Sequence, residues 1–202
     1  LHLHPIPTDP AMPLYTPDDL MAGRLPEGQT VALYDDDHFY MGSVLAELLV
    51  AKGNKVHFIT PAVKVAEWTH NTLELATIMR RLLEIGVEIH LSKAPEVVAA
   101  KEIVLGCIWT GRHSVLPAEA LVHVTSRTPN DQLYHATKSL DWRAAGIKSI
   151  QLIGDAAAPG PIAWATYAGR NWAEALDQPD QGDALTFRRE IAALAPEASL
   201  LP

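Results

Sequence analysis

Val31-Ala32-Leu33-Tyr34, then Asp35-Asp36-Asp37-His38-Phe39-Tyr40-Met41-Gly42, then an amphipathic run over residues 43–52: this stretch decides the fold. It has the order of a strand, a tight turn and a helix, where a dinucleotide-binding unit carries G-x-G-x-x-G. The three glycine positions are held by Asp35, Asp37 and Tyr40. The first two glycines of that motif let the backbone turn tightly and approach a pyrophosphate, and the helix N-terminus then receives the negative charge. Three carboxylates in a row repel that charge. The scaffold is kept and its ordinary NAD(P) ligand is excluded.

The pattern repeats outward. A helix over residues 41–52 puts Val44, Leu45, Leu48 and Leu49 on one face and stops at Gly53. A second strand covers 56–60. A helix over 72–85 is expected to be capped by Asn71, with Glu74 as its capping-box partner and Leu73, Ala76, Met79, Leu82 and Leu83 as its buried stripe. A third strand covers 87–91. Parallel neighbours need crossover helices, so this is a parallel doubly wound start. Residues 95–125 then hold short apolar runs at 96–99, 102–109, 112–116 and 121–125, with turn-sized separators, and read as an antiparallel meander. A helix over 131–145 closes at Gly146, a strand at 149–153 ends in Gly154-Asp155, Pro161 opens a helix to 176, and Asp183 caps a last helix to 194. The six prolines between Pro5 and Pro26 make an irregular arm with a helical turn at residues 18–21.

Size and charge narrow the function. The 202 residues fit one domain or one and a half, and 48% hydrophobic residues supply a core. A net charge of −8 leaves no basic stripe for nucleic acid and disfavours anionic membranes. Cys107 is the single cysteine, so neither an internal disulfide nor a thiolate cluster forms; its apolar run, residues 103–109, predicts a core residue. Cysteine usage fits a reduced, cytoplasmic compartment. No signal peptide and no apolar run near the ~20 residues of a membrane span is present. A start without Met and a loop-like opening predict a piece of a longer protein.

A strand–helix–strand–helix–strand unit, a meander and one returning strand resemble the NAD(P)-binding domain of two-dinucleotide flavoproteins, the disulfide-reductase-like superfamily. Such domains close with a strand and G-R-x-P-N. Thr110-Gly111-Arg112 and Thr125-Ser126-Arg127-Thr128-Pro129-Asn130 compete for that role; the second fits by position, with Ser126 for the glycine. Residues 150–155, ending Gly154-Asp155, match the superfamily's return strand to the FAD domain, and the small-residue helix over 162–170 matches the helix that comes after that strand. Thr69-His70-Asn71-Thr72-Leu73-Glu74, Met79-Arg80-Arg81-Leu82, Gly154-Asp155-Ala156-Ala157-Ala158-Pro159, the arm around His4-Pro5-Ile6-Pro7 and the glycine-poor turn resemble the trimethylamine and dimethylamine dehydrogenases.

That resemblance implies an α/β fold: a Rossmann-like NAD(P)-binding-type domain, its parallel sheet and helices joined by an antiparallel β-meander and its glycine motif degenerate, followed by the tail of an FAD/ADP-binding-like domain. The domains expected are a proline-rich arm at 1–28, a degenerate NAD(P)-binding-like domain at 29–130, and a return segment with C-terminal helices at 131–202. The parent implied by the resemblance carries FMN in a (β/α)8 barrel, an iron–sulfur cluster and ADP or FAD. The barrel and the cluster cysteines are absent here, so no cofactor is expected on this segment alone and no catalytic residue is assigned. Gly154 and Asp155 are expected to be half of the ADP/FAD-like site. Expected partners are the rest of the parent chain and an electron-transfer flavoprotein as acceptor. Two alternatives stand beside this reading: the NAD(P)H domain of a dienoyl-CoA reductase-like enzyme, and a pure structural or interaction domain. The first is opposed by Asp35, Asp37 and Tyr40, and by the lack of an Arg after the strand ending Thr60-Pro61 to hold a 2′-phosphate.

No metal ligands are assigned. Consecutive residues in Asp35-Asp36-Asp37-His38 alternate in direction, so at most two share an ion unless a loop wraps it. His2 and His4 belong to a solvated arm, and His113, His123 and His135 lack a Cys or His partner at ligand spacing. Arg80-Arg81 reads as a pair at a helix C-terminus. Asp155 has a bland alternative as a cap for the turn that leads into the Pro161 helix. The strand at 149–153, cut from its sheet, is expected to self-associate into a homodimer or to lie against residues 1–30.

Overall fold

A computed structural model describes residues 5–176. The chain divides into two units, Leu1–Ser126 and Arg127–Pro202.

The first unit runs β1 (Leu14–Tyr15), α1 (Pro17–Met21), β2 (Thr30–Asp35), α2 (Met41–Ala51), β3 (Lys55–Ile59), a 3₁₀ turn (Glu67–His70), α3 (Leu75–Glu84), β4 (Glu88–His90), β5 (Lys93–Val98), β6 (Glu102–Cys107), β7 (His113–Pro117) and β8 (Ala120–Val124). A five-stranded sheet has the order β1-β8-β2-β3-β4 and every pairing in it is parallel. A three-stranded antiparallel sheet has the order β5-β6-β7. The fold is therefore α/β, with a parallel sheet plus an antiparallel one.

Period-2 alternation divides the parallel sheet's side chains between two cores. On one face Val31, Leu33, Val56, Phe58 and Val122 bury against Leu45 and Leu49 of α2 and Leu82 of α3. On the other, Ala32, Tyr34, Ile59 and Leu121 meet Val98, Ile103, Leu105 and Leu116 of the antiparallel sheet. Helices cover one side and a second sheet covers the other. At about 25 cal/mol per Å² of apolar surface removed from water, these two cores supply the main favourable term of the fold.

Four sequence expectations change here. The run at 121–125 is not a fourth meander strand: β8 leaves the meander and inserts between β1 and β2, pairing Leu33↔Val122 and Leu14↔Leu121. Its residues say why, since Ala120, Leu121, Val122 and Val124 are all buried and only His123 interrupts them, the nearly continuous apolar run of a strand covered on both faces. The helix expected from residue 72 starts at Leu75, with no side-chain cap. Asn71 instead donates from Nδ2 to the Trp68 carbonyl, closing the 3₁₀ turn, and Leu73 takes a left-handed φ of 63°. Leu73 is consequently exposed rather than part of the stripe. Cys107 is half-buried rather than core, because the chain turns back through Trp109 and Gly111, and Trp109 is 72% exposed. The proline-rich segment is irregular only in part. Thr16 closes a capping box with Asp19, β1 forms the sheet edge, and Met12 and Leu20 are buried.

In the second unit α4 (Gln132–Lys138) is shorter than the helix expected over 131–145, a 3₁₀ turn covers Gly154–Ala156, and α5 (Ile162–Ala175) follows Pro161. Residues 149–153 pair with no strand among the described residues, so the expected strand is not formed there, although Ile153 itself is extended: a β-strand exists only with a hydrogen-bonded neighbour. The helix expected at Asp183, and His2 and His4, lie outside the described residues.

Candidate functional site

The turn after β2 is the centre of interest. Asp35, the last residue of β2, is fully buried. Its Oδ1 accepts from the backbone N–H groups of Asp37 and His38, each at 3.3 Å, while its Oδ2 is buried without a hydrogen-bond partner. The carboxyl group lies over the first turn of α2, where the helix dipole favours negative charge, and a β-carbon on Gly42 would stand 2.8 Å from the Asp35 Cγ. Burial pushes the Asp35 pKa up to about 6, against the lowering effect of His38 and the two amide bonds. Tyr34 is raised by the same burial and by Asp36 and Asp35.

The rest of the turn is held from the side. His38 adopts a left-handed φ of 64° and accepts at its carbonyl from Trp68 N–H at 3.1 Å. Its imidazole is raised in pKa chiefly by Asp36, whose Oδ1 lies 3.6 Å from Nε2. The Phe39 and Trp68 rings meet at 4.9 Å. The Tyr40 hydroxyl donates to Glu74 Oε2 at 2.5 Å and lies 3.0 Å from Thr72 Oγ1. That bond, together with Thr72, lowers the Glu74 pKa. Tyr40 therefore fastens the turn to the segment that leads into α3. Asp37 stands half-buried between these anchors. Beside them His38, Lys64, Glu67, Trp68, His70 and Asn71 line an open cleft of about 360 Å³.

The three positions expected to replace glycines, Asp35, Asp37 and Tyr40, are thus brought together in one turn. Gly154 and Asp155 belong to the other unit. Gly154 has φ +58° and its carbonyl accepts from Ala157 and Ala158, while Asp155 is exposed. Pro161 stands at the N-cap of α5, and no side chain caps that helix. Arg81 pairs across to Glu47 of α2 at 3.2 Å.

The sequence reading missed one cluster. His57 of β3 meets Glu88 and His90 of β4 on one face of the parallel sheet. The available signal was Glu88-Ile89-His90, two polar residues at the i, i+2 spacing that puts them on one face of a strand.

A parallel sheet with helices on one face, a three-stranded antiparallel sheet on the other and a carboxylate-filled β2–α2 turn define the class as a two-sheet α/β domain. Residues 15–130 match the model of the OYE-like second alpha/beta domain, and the chain belongs to that family. It is 27% identical over 208 residues to the dimethylamine dehydrogenase of Hyphomicrobium sp. (strain x), a match covering 92% of this chain and 28% of that one. It is similar to the solved histamine dehydrogenase of Rhizobium sp. 4-9, with 48% identity, a TM-score of 0.86, and coverage of 96% of this chain and 31% of that one. The 6-hydroxypseudooxynicotine amine oxidase of Pseudomonas geniculata N1 gives 38% identity and a TM-score of 0.76, over 84% and 25%. The chain is thus related to flavin-dependent amine dehydrogenases and oxidases, and it spans less than a third of the length of these relatives.

Proposed function

We propose that this chain is the non-catalytic, nucleotide-binding-like C-terminal part of a flavin-dependent oxidoreductase that oxidises amines. Its role is to complete and stabilise the parent, which passes electrons to a protein acceptor of the electron-transfer flavoprotein kind rather than to NAD(P). One observation carries the reading. The buried Asp35 carboxylate, wedged against Gly42 over the first turn of α2, fills the space and the electrostatic role that a pyrophosphate would need. A second anion there would face the charge on Asp35 at close range in a site sealed from solvent.

In this reading residues 29–130 form the Rossmann-like, degenerate NAD(P)-binding domain, residues 1–28 its arm, and 131–202 the return segment of an FAD- or ADP-binding-like domain. Gly154 and Asp155 supply half of that site. The positive φ of Gly154 gives a turn that a side chain would strain, and the exposed carboxylate beside it suits a ribose hydroxyl. An iron–sulfur cluster does not fit residues of this chain, since its lone cysteine cannot hold one, and FMN goes with the cluster in this reading. They belong to the rest of the parent. The second unit supports this division. Leu133, Leu140, Ile162, Trp164 and Tyr167 are each half or more exposed, the surface of a segment built to be covered. The remaining two-thirds of the parent, which the length of the relatives supplies, is the covering proposed. No described helix is long and apolar enough to cross a membrane.

Calorimetric titration of the chain with NAD+, NADH, NADP+ and NADPH tests the reading. No heat of binding is expected with any of the four. Low-micromolar affinity for one of them would replace it with the reading of an NAD(P)H-using, dienoyl-CoA reductase-like enzyme.

A further inference from the structure

Parallel pairing sets His57 opposite Glu88 and Ile59 opposite His90. Alternate residues of a strand share a face, so Glu88 and His90 project to the same side as His57. His57 Nδ1 lies 3.1 Å from His90 Nε2 and 3.3 Å from Glu88 Oε2, and the three ligand atoms all fall within 4.8 Å of one another. We propose that His57, Glu88 and His90 form a binding site for one divalent transition-metal ion of the zinc class.

The geometry suits such an ion. Metal–ligand bonds of about 2.0–2.1 Å at tetrahedral angles place ligand atoms roughly 3.3 Å apart, close to the two separations already present at His57 Nδ1. Two imidazoles and one carboxylate favour zinc, cobalt, nickel or copper over magnesium or calcium, and leave a fourth position for water. The carboxylate is oriented from outside. Lys55 Nζ holds Glu88 Oε1 at 2.9 Å, which turns Oε2 towards the two rings. Without metal the two ring nitrogens stand at hydrogen-bond distance, and the ion would take the place of that contact. β4 is the edge strand of the sheet and Glu88 is half exposed, so the site has an entry path. The site is built from strands of the first unit and is independent of the reading of the turn after β2.

Titration of the chain with Co2+, followed by the visible absorption of low-coordinate cobalt, is the test. The expected result is saturation at one equivalent with micromolar or tighter affinity, displaced by Zn2+. His90→Gln and Glu88→Gln should each weaken binding by about tenfold or more, the scale of losing even a supporting group of such a site. A His2→Ala, His4→Ala double variant and His113→Gln should change nothing. His90 and Glu88 stand at the half-exposed sheet edge, so their variants fold even where one at buried His57 does not, and circular dichroism checks this. Absence of binding up to millimolar Co2+, or binding that His90→Gln leaves intact, would overturn the proposal.

Discussion

The carboxyl carbon of Asp35 stands 2.8 Å from the point that a β-carbon would occupy on Gly42. Gly42 has no left-handed φ; it is glycine because there is no room for anything else. Gly42→Ala should therefore cost about 1–3 kcal/mol, the usual penalty of overfilling a packed site. The double variant with Asp35→Gly should recover most of the overpacking part of that loss relative to Asp35→Gly alone. Urea midpoints of the four proteins form the cycle. A neutral Gly42→Ala would show that the turn yields freely.

Asp35 sets a pH dependence of definite sign. Its folded pKa is raised to about 6 from 3.8, so between those values the folded state keeps a proton that the unfolded state has lost. Stability then falls as pH rises through this window and is flat above it, by at most about 3 kcal/mol from this group. Asp35→Asn removes the charge and fills the unpartnered Oδ2 position with an amide. The difference in unfolding free energy between variant and native protein should grow in favour of the variant from pH 4 to pH 6. A difference that does not change with pH would contradict the raised pKa.

Asn54 is buried and makes three bonds. Oδ1 accepts from Gln29 N–H at 3.1 Å, and Nδ2 donates to the carbonyls of Pro26 at 2.8 Å and Leu49 at 2.9 Å. It ties the approach to β2 to the end of α2. Asn54→Ala removes these bonds from Gln29 N–H and the Pro26 carbonyl, while the Leu49 carbonyl keeps the backbone amides of residues 52 and 54, and it should destabilise by about 2–4 kcal/mol. Asn54→Asp should retain the Gln29 bond alone and fall between the two in a thermal unfolding series.

Amides at residues 150–153 have no sheet partner among the described residues, whereas Val31–Tyr34 are paired on both sides. Hydrogen exchange should be fast in the first group and near the global limit in the second. Equal protection in a monomeric sample would mean that the segment has found a ladder.

In the full parent protein, Asp155→Ala should lower the amount of adenine nucleotide or flavin retained through purification. Nucleotide release on denaturation, quantified against protein, measures it. Unchanged occupancy would remove Asp155 from the site.

Much of the parallel sheet was legible because its signals are local. Residues 31–34 and 56–60 are short apolar runs between turn residues, and Gly53 and Gly86 punctuate the helices before β3 and β4. The destination of β8 was not legible, because pairing is a non-local choice; only its apolar run, interrupted by His123 alone, against the alternation of β7, hinted that it is covered on both faces. The start of α3 was misjudged because Thr69 and Asn71 bond within a 3₁₀ turn that competes with the helix cap. The turn carrying Asp35, Asp37 and Tyr40 was found by what it lacks. The His57, Glu88 and His90 cluster was not, since His57 is 31 residues before Glu88 and only strand register joins them.

β8 sits in the sheet between β1 and β2, yet it is the last strand of its unit to be made. Thr30 at the start of β2 is bonded to Glu119, just before β8, across 89 residues of sequence. During synthesis β1 and β2 emerge with a strand-wide gap between them, and nothing in the growing chain can fill it until residue 124 has left the ribosome. The sheet therefore closes in one late, long-range step, a topology that folds slowly and exposes two apolar strand edges while it waits.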